Sequence, residues 1–142
     1  MPVREADARW EGSLQDGKGT MRFGSGAFEG PYSFSSRFED GTGTNPEELI
    51  GAAHAGCFSM ALAAALSRAG HVPDRVHTTA KVHIDKSDAG FSITRIDLVS
   101  EAAVPGVDEA TFREHAEATK TGCPVSRALA GTEITLDARL VS

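Results

Sequence analysis

Hydrophobic and polar positions along this chain change period several times, and each change marks an element. Residues 6–38 alternate loosely: Ala6–Gly12, Gly19–Ser25 and Pro31–Phe38 read as strands, with turn signals at Asp16-Gly17 and Glu29-Gly30. Asp40-Gly-Thr-Gly-Thr-Asn45 reads as a loop. The period then becomes helical. Asn45 can cap a helix, Pro46 suits its first position, and Glu47 and Glu48 fill the first turn, with Asn45 and Glu48 forming a variant of the capping box. That helix is expected to run to about Ala69 and to end at Gly70. Alternation returns at Val76–Asp85, with Val76, Thr78, Ala80, Val82 and Ile84 on one face. Phe91–Ala103 is a second such strand, and its break of phase near Thr94–Arg95 predicts a bulge. Lys86–Gly90 is the hairpin loop between the two. Asp108–Lys120 has the spacing of an amphipathic helix with Ala110, Phe112, His115, Ala116 and Thr119 on its apolar side. Cys123–Ala130 is a short helix with Pro124 in its first turn, and Thr132–Leu140 is a closing strand. Strands, a long helix, strands, helices and a strand in that order predict the α+β class, in one domain over residues 1–142.

The long helix is unusual in being apolar almost all round. Leu49–Leu66 holds only His54 and Ser59 as clearly polar side chains, a length approaching a membrane span. It is mostly Ala and Gly, and acidic residues precede it, so it reads as a soluble helix buried on nearly all sides. Gly51 and Gly56 each cost roughly 1 kcal/mol against Ala in a helix, and their use is expected to be close packing. A helix of this kind needs more cover than a small domain supplies alone, which predicts an obligate dimer.

Charge and cysteine content narrow the function. A formal net charge of −6 argues against a nucleic-acid binder, which needs a basic surface. Residues 1–20 have no apolar h-region, so the expected compartment is the cytoplasm. The chain has two cysteines, and in a reducing compartment such a pair is more often catalytic or metal-binding than structural.

Cys57 lies inside the apolar helix. Cys123 lies at the break between two helical patterns, where a helix N-terminus favours thiolate. Thiolate is the reactive form, and an ordinary thiol pKa of about 8.5 must be lowered for chemistry at neutral pH. Arg37, on the strand entering the loop, can lower it by charge, and Glu47 can hold that guanidinium as a two-point partner. Glu47 and Cys57 share a helix face, roughly 15 Å apart along the axis. Taken singly, each residue has a plainer use: Cys57 as a small buried hydrophobe, Cys123 as incidental, Arg37 as a solvated strand residue, Glu47 and Glu48 as capping residues, His54 as a hydrogen-bonded packing residue. A metal site built from Cys57, Cys123, His54 and His115 lacks ligand spacing. Ser59 and Ser126 have no nucleophile elbow, and Gly24-Ser-Gly26 is too short for a dinucleotide fingerprint.

Several stretches together resemble the OsmC/Ohr family of hydroperoxide reductases, over nearly the whole chain. The most specific are Gly43-Thr-Asn-Pro-Glu-Glu-Leu-Ile-Gly-Ala-Ala-His-Ala-Gly-Cys-Phe-Ser-Met-Ala-Leu62 and Lys120-Thr-Gly-Cys-Pro-Val-Ser126. Trp10-Glu-Gly12, Asp88-Ala-Gly-Phe91 and Glu133-Ile-Thr-Leu-Asp137 also fit. The resemblance implies an intertwined homodimer, with antiparallel sheets wrapped around long central helices. It implies Cys57 as the peroxidatic cysteine, Cys123 as the resolving cysteine and Glu47 as the catalytic glutamate. Arg37 precedes the loop before the central helix, as in the OsmC branch, whereas the Ohr position near Gln15-Asp16-Gly17 has no arginine. The implied activity is a cysteine-based peroxidase that needs no cofactor or metal. It would reduce organic hydroperoxides, and hydrogen peroxide less well, through a Cys57 sulfenic acid and a Cys57–Cys123 disulfide. An external dithiol, such as a lipoylated protein, would recycle it. A dimeric, non-enzymatic stress or ligand-binding protein and a redox sensor are the alternatives. Apolar neighbours (Phe58, Met60 and Leu62, with Phe28, Phe34 and Phe38) are expected to favour a fatty or aromatic substrate tail.

Overall fold

The computed structural model describes residues 1–141 and divides into two compact units, residues 1–49 and the chain from Ile50 onward. The first holds an antiparallel meander of β1 (Ala6–Glu11), β2 (Lys18–Phe23) and β3 (Glu29–Tyr32), in that order. Gly19 of β2 pairs with Trp10 on one side and Tyr32 on the other. A Cβ there would collide with both rings, 2.5 Å from Tyr32 and 2.7 Å from Trp10, so glycine lets the two aromatics meet across it at 5.4 Å. Only Gly19 and Gly30 are buried in these three strands. The sheet therefore has almost no core of its own.

The strand expected over Pro31–Phe38 stops at Tyr32, and Phe34–Phe38 is a helical turn, α1. Ser33 makes the difference. Its hydroxyl accepts from the Ser36 N–H at 3.2 Å, and the Ser36 hydroxyl accepts from the Ser33 N–H at 2.8 Å, closing a capping box that two serines complete. The phenylalanines that look alternating are four apart, and their rings stack at 5.1 Å on one helix side. Arg37 accordingly stands on a helix and not on a strand. The following loop is tied back by Ser36 Oγ donating to the Thr44 carbonyl (2.7 Å) and Asn45 Nδ2 donating to the Ser36 carbonyl (3.1 Å).

Helix α2 (Pro46–Arg68) begins and ends as its sequence predicts. The Glu48 N–H donates to Asn45 Oδ1 at 2.7 Å. At the other end Gly70 takes φ +91, the His71 N–H reaches the Leu66 carbonyl (2.8 Å) and the Gly70 N–H that of Ser67 (3.0 Å), a Schellman closure. Its burial departs from expectation. Gly51, His54, Phe58, Leu62 and Leu66 form one buried face, while Ala52, Ala53, Gly56 and Met60 are exposed on another. By length and composition α2 passes for a membrane span, yet its buried side is the inner face of a core helix.

The second unit completes that core. β4 (Arg75–Ser87) and β5 (Gly90–Ala103) form an antiparallel hairpin; α3 (Glu109–Gly122), α4 (Pro124–Ala128) and β6 (Glu133–Val141) follow. His83 pairs with Arg95 and Ile84 with Ile93, so Thr94 is the extra residue of the predicted bulge. β6 lies beside β5 in parallel, Ile96 opposite Ile134 and Leu98 opposite Leu136. An all-antiparallel arrangement was expected; two intervening helices return the chain to the end of the sheet from which β5 starts, which makes the last pair parallel. Phe58, Leu62 and Leu66 of α2, Ile96, Leu98 and Ala102 of β5, and Phe112 and Ala116 of α3 form one cluster that includes Cys123. Each large side chain in it contributes about 1.5–3 kcal/mol by leaving water. The architecture is α+β.

Candidate active site

Cys57 and Cys123 meet at the first turn of α4. Pro124 opens this helix, so the first backbone donors it offers are the N–H groups of Val125 and Ser126. Each goes to a different sulfur: Val125 N–H to Cys57 Sγ at 3.5 Å, Ser126 N–H to Cys123 Sγ at 3.4 Å. Both cysteines are free thiols, Cys123 buried and Cys57 half-buried. The Cys123 thiol donates to Ser126 Oγ at 3.1 Å, and the same hydroxyl lies 2.7 Å from His54 Nε2. His54 is three residues before Cys57 on α2 and has no exposed surface, and among the described residues its Nδ1 has no partner.

Burial pushes the Cys57 thiol above its ordinary pKa and the Cys123 thiol pushes the same way, while the Val125 N–H opposes them. Burial lowers the pKa of His54, which keeps the ring neutral near pH 7.

Arg37 and Glu47 form a two-point ion pair. Arg37 Nε donates to Glu47 Oε1 at 3.1 Å and Arg37 Nη2 to Oε2 at 2.9 Å. Glu47 is buried in the first turn of α2, where the helix N-terminus favours its negative charge. The guanidinium also lies 5.2 Å over the Phe38 ring, and about a third of the arginine side chain is open to solvent. Glu48 is exposed and takes no part in this pair. Arg37 and Glu47 lie in the first unit, Cys57 and Cys123 in the second.

Two expectations about the surroundings change. Phe58 and Leu62, expected near a substrate tail, have no exposed surface and belong to the core. Met60 stands 77% exposed on the opposite face of α2. Ser126 carries no nucleophile motif, yet it bridges both His54 and Cys123. The signal for it is its place three residues after Cys123, the spacing at which a capping residue receives an N–H. Among the described residues no group of three or more His, Cys, Asp or Glu side chains is arranged to hold a metal.

Comparison with known proteins places this geometry among relatives. The residue pattern of the family described as OsmC-like protein matches residues 39–138. The chain is 54% identical over 140 residues to the protein named Peroxiredoxin OsmC of Escherichia coli (strain K12), covering 98% of this chain and 97% of that one. It is 35% identical over 98 residues to the Organic hydroperoxide resistance protein of Xanthomonas axonopodis pv. citri (strain 306), covering 68% and 67%. Among solved structures, an OsmC-like protein of unknown function from Vibrio cholerae superposes with a TM-score of 0.76 at 15% identity, over 97% of this chain and 99% of that one.

Proposed function

The chain belongs to the OsmC family, and on that premise we propose that it is a thiol peroxidase that reduces organic hydroperoxides to alcohols. The observation that carries this reading is the gathering of two free thiols on one turn of α4, each sulfur receiving one of two consecutive backbone N–H groups. In the proposed cycle the Cys57 thiolate attacks the outer oxygen of the hydroperoxide. The O–O bond breaks, the alcohol leaves after taking a proton, and Cys57 becomes a sulfenic acid. The Cys123 sulfur then attacks the Cys57 sulfur, water leaves, and a disulfide forms. An external dithiol, such as a lipoylated protein, restores both thiols by exchange.

Arg37 is the proposed activating cation. Burial raises the Cys57 pKa, so a positive charge must offset it if the sulfur is to ionise near pH 7. The two-point bond from Glu47 holds the guanidinium in one orientation. The protein is proposed to work as a homodimer. The bare apolar face of α2 and the meander without its own core are both surfaces that a second copy would cover.

Turnover of cumene hydroperoxide with dihydrolipoamide tests the cycle. Cys57→Ser is expected to reduce consumption to the uncatalysed rate. Cys123→Ser is expected to keep one turnover and to leave Cys57 as sulfenic or over-oxidised acid, read by mass spectrometry. Full activity in Cys57→Ser would remove Cys57 as the nucleophile. Light scattering in solution checks the dimer; a monomer at micromolar concentration would contradict it.

A further inference from the structure

The buried His54 takes no part in the cycle above, and its hydrogen bonding is one-sided. It has no exposed surface, its Nε2 lies 2.7 Å from Ser126 Oγ, and its Nδ1 has no partner among the described residues. A buried polar atom without a partner is uncommon in a folded protein and is costly there. A leucine at this place, beside Phe58 and Cys57, would fill space without that cost. Packing alone therefore does not account for an imidazole here.

The proton of the bridging serine allows the chain of hydrogen bonds to run in one direction. A hydroxyl has one hydrogen to give. The Cys123 thiol donates to Ser126 Oγ at 3.1 Å, so the Ser126 hydrogen is free for the acceptor 2.7 Å away, His54 Nε2. A ring protonated at Nε2 would instead donate to the second lone pair of Ser126 Oγ, so that direction belongs to the tautomer with its proton on Nδ1. The path Cys123 S–H to Ser126 O–H to His54 Nε2 is then continuous, and every link lies in the interior.

We propose that Ser126 and His54 form a proton relay that serves the resolving cysteine, an inference that rests on the peroxidase reading above. As the Cys123 sulfur attacks the Cys57 sulfenic sulfur, its proton passes to Ser126 Oγ and the Ser126 proton passes to His54 Nε2. The S–S bond forms and the S–O bond breaks. The departing hydroxide ends as water by taking up the proton the relay gives back, so the step releases no net proton. The two-electron oxidant is the hydroperoxide already consumed in making the sulfenic acid. When the external dithiol opens the disulfide, its two thiol protons restore the Cys57 and Cys123 thiols. Ser126 and His54 are positioning and relay residues; neither touches the hydroperoxide.

Rapid-mixing kinetics with one equivalent of cumene hydroperoxide separates the two chemical steps. Sulfenic acid formation and disulfide closure are followed in the wild type and in Ser126→Thr, Ser126→Val and His54→Leu. Thr and Val have the same shape and differ in the hydroxyl. Ser126→Val and His54→Leu are expected to slow disulfide closure relative to sulfenic acid formation by about tenfold or more, at or below the usual range for positioned acid–base groups. Ser126→Thr is expected to stay near wild type, and the Val/Leu double variant to be no slower than either single one. More over-oxidised Cys57 should accumulate in the slow variants under excess peroxide. Closure in Ser126→Val as fast as in Ser126→Thr, or in His54→Leu as fast as in wild type, overturns the relay. A wild type that consumes hydroperoxide yet forms no Cys57–Cys123 disulfide overturns the cycle itself, a different result.

Discussion

The two units of the chain treat water in opposite ways. From Ile50 onward, one face of α2 and one face of the β4–β5–β6 sheet close on a shared core, and Cys123 lies inside it with Cys57 packed against it. In residues 1–49, the strands are nearly all exposed, and the buried charge of Glu47 is matched by Arg37. Cys57 sits where its ionisation is disfavoured, and the positive charge of Arg37 is held as a satisfied pair elsewhere in the chain. The difference bears on the proposed cycle, which draws its nucleophile from one region and its cation from the other. On the proposed cycle the Cys57 thiol needs a cation to offset its burial, and the Arg37–Glu47 pair has no nucleophile of its own.

The largest expected effect separates the two regions by stability. Phe58→Ala, in the core, should cost about 3–5 kcal/mol, whereas Trp10→Ala, in the meander, should cost about 1 kcal/mol, chiefly the contact of its ring with Tyr32. Denaturant unfolding measures both. Equal losses would show that a second copy buries the meander as deeply as the core buries Phe58.

Removing the charge tests the chemical half of the contrast. Arg37→Met should lower kcat/KM for hydroperoxide by about 10²-fold and raise the Cys57 pKa, which thiol alkylation against pH reads. Arg37→Lys should recover only part of the loss, because an ammonium cannot make the two-point bond with Glu47. An unchanged Cys57 titration in Arg37→Met would remove Arg37 as the activating cation.

Acid tests the polar side of the second sheet. Asp97 accepts from Thr135 Oγ1 at 2.6 Å, pairs with His83 at 2.7 Å and lies 3.0 Å from Arg95. The Thr135 bond first, then His83, holds its pKa at about 2. A carboxylate whose folded pKa lies below its unfolded value of about 3.9 stabilises the fold above that value. The contribution is lost as pH falls from there through about 2. Asp97→Asn should therefore lower the thermal midpoint at pH 7 and narrow its gap to wild type near pH 2. A gap that is constant with pH would show that the charge of Asp97 contributes nothing.

The smallest change has a sign that decides what covers α2. A Cβ at Gly56 meets nothing within 4 Å, so in a lone chain Gly56→Ala should stabilise the helix by roughly 1 kcal/mol. Under a second copy the same methyl group intrudes at a close helix contact. The expected outcome is a weaker dimer, measured by dilution in sedimentation experiments. An unweakened dimer with a higher thermal midpoint would place the interface elsewhere.

Much of this was legible in the residues before any coordinates. Asn45-Pro46 and Gly70 mark both ends of α2, because capping chemistry is local. The broken phase near Thr94 marks the bulge, because a strand's two faces must alternate. Ser33 and Ser36 were legible in principle, but the spacing of Phe34 and Phe38 mimics a strand when read without their cap. The sense of β6 was not legible, since alternation within a strand says nothing about its neighbour's direction.

The sequence alone determined the elements other than α1, the apolar character of α2 and the residue types able to do thiol chemistry, because these follow from propensity, spacing and pKa. Only the tertiary structure decided that residues 68 and 69 positions beyond Cys57, Val125 and Ser126, supply the N–H groups to the two sulfurs. It likewise decided that Ser126, 72 positions beyond His54, joins that ring to Cys123. The reason is physical: a hydrogen bond depends on a few tenths of an ångström and a direction, and these are set by how α2, α3 and the sheet share one core.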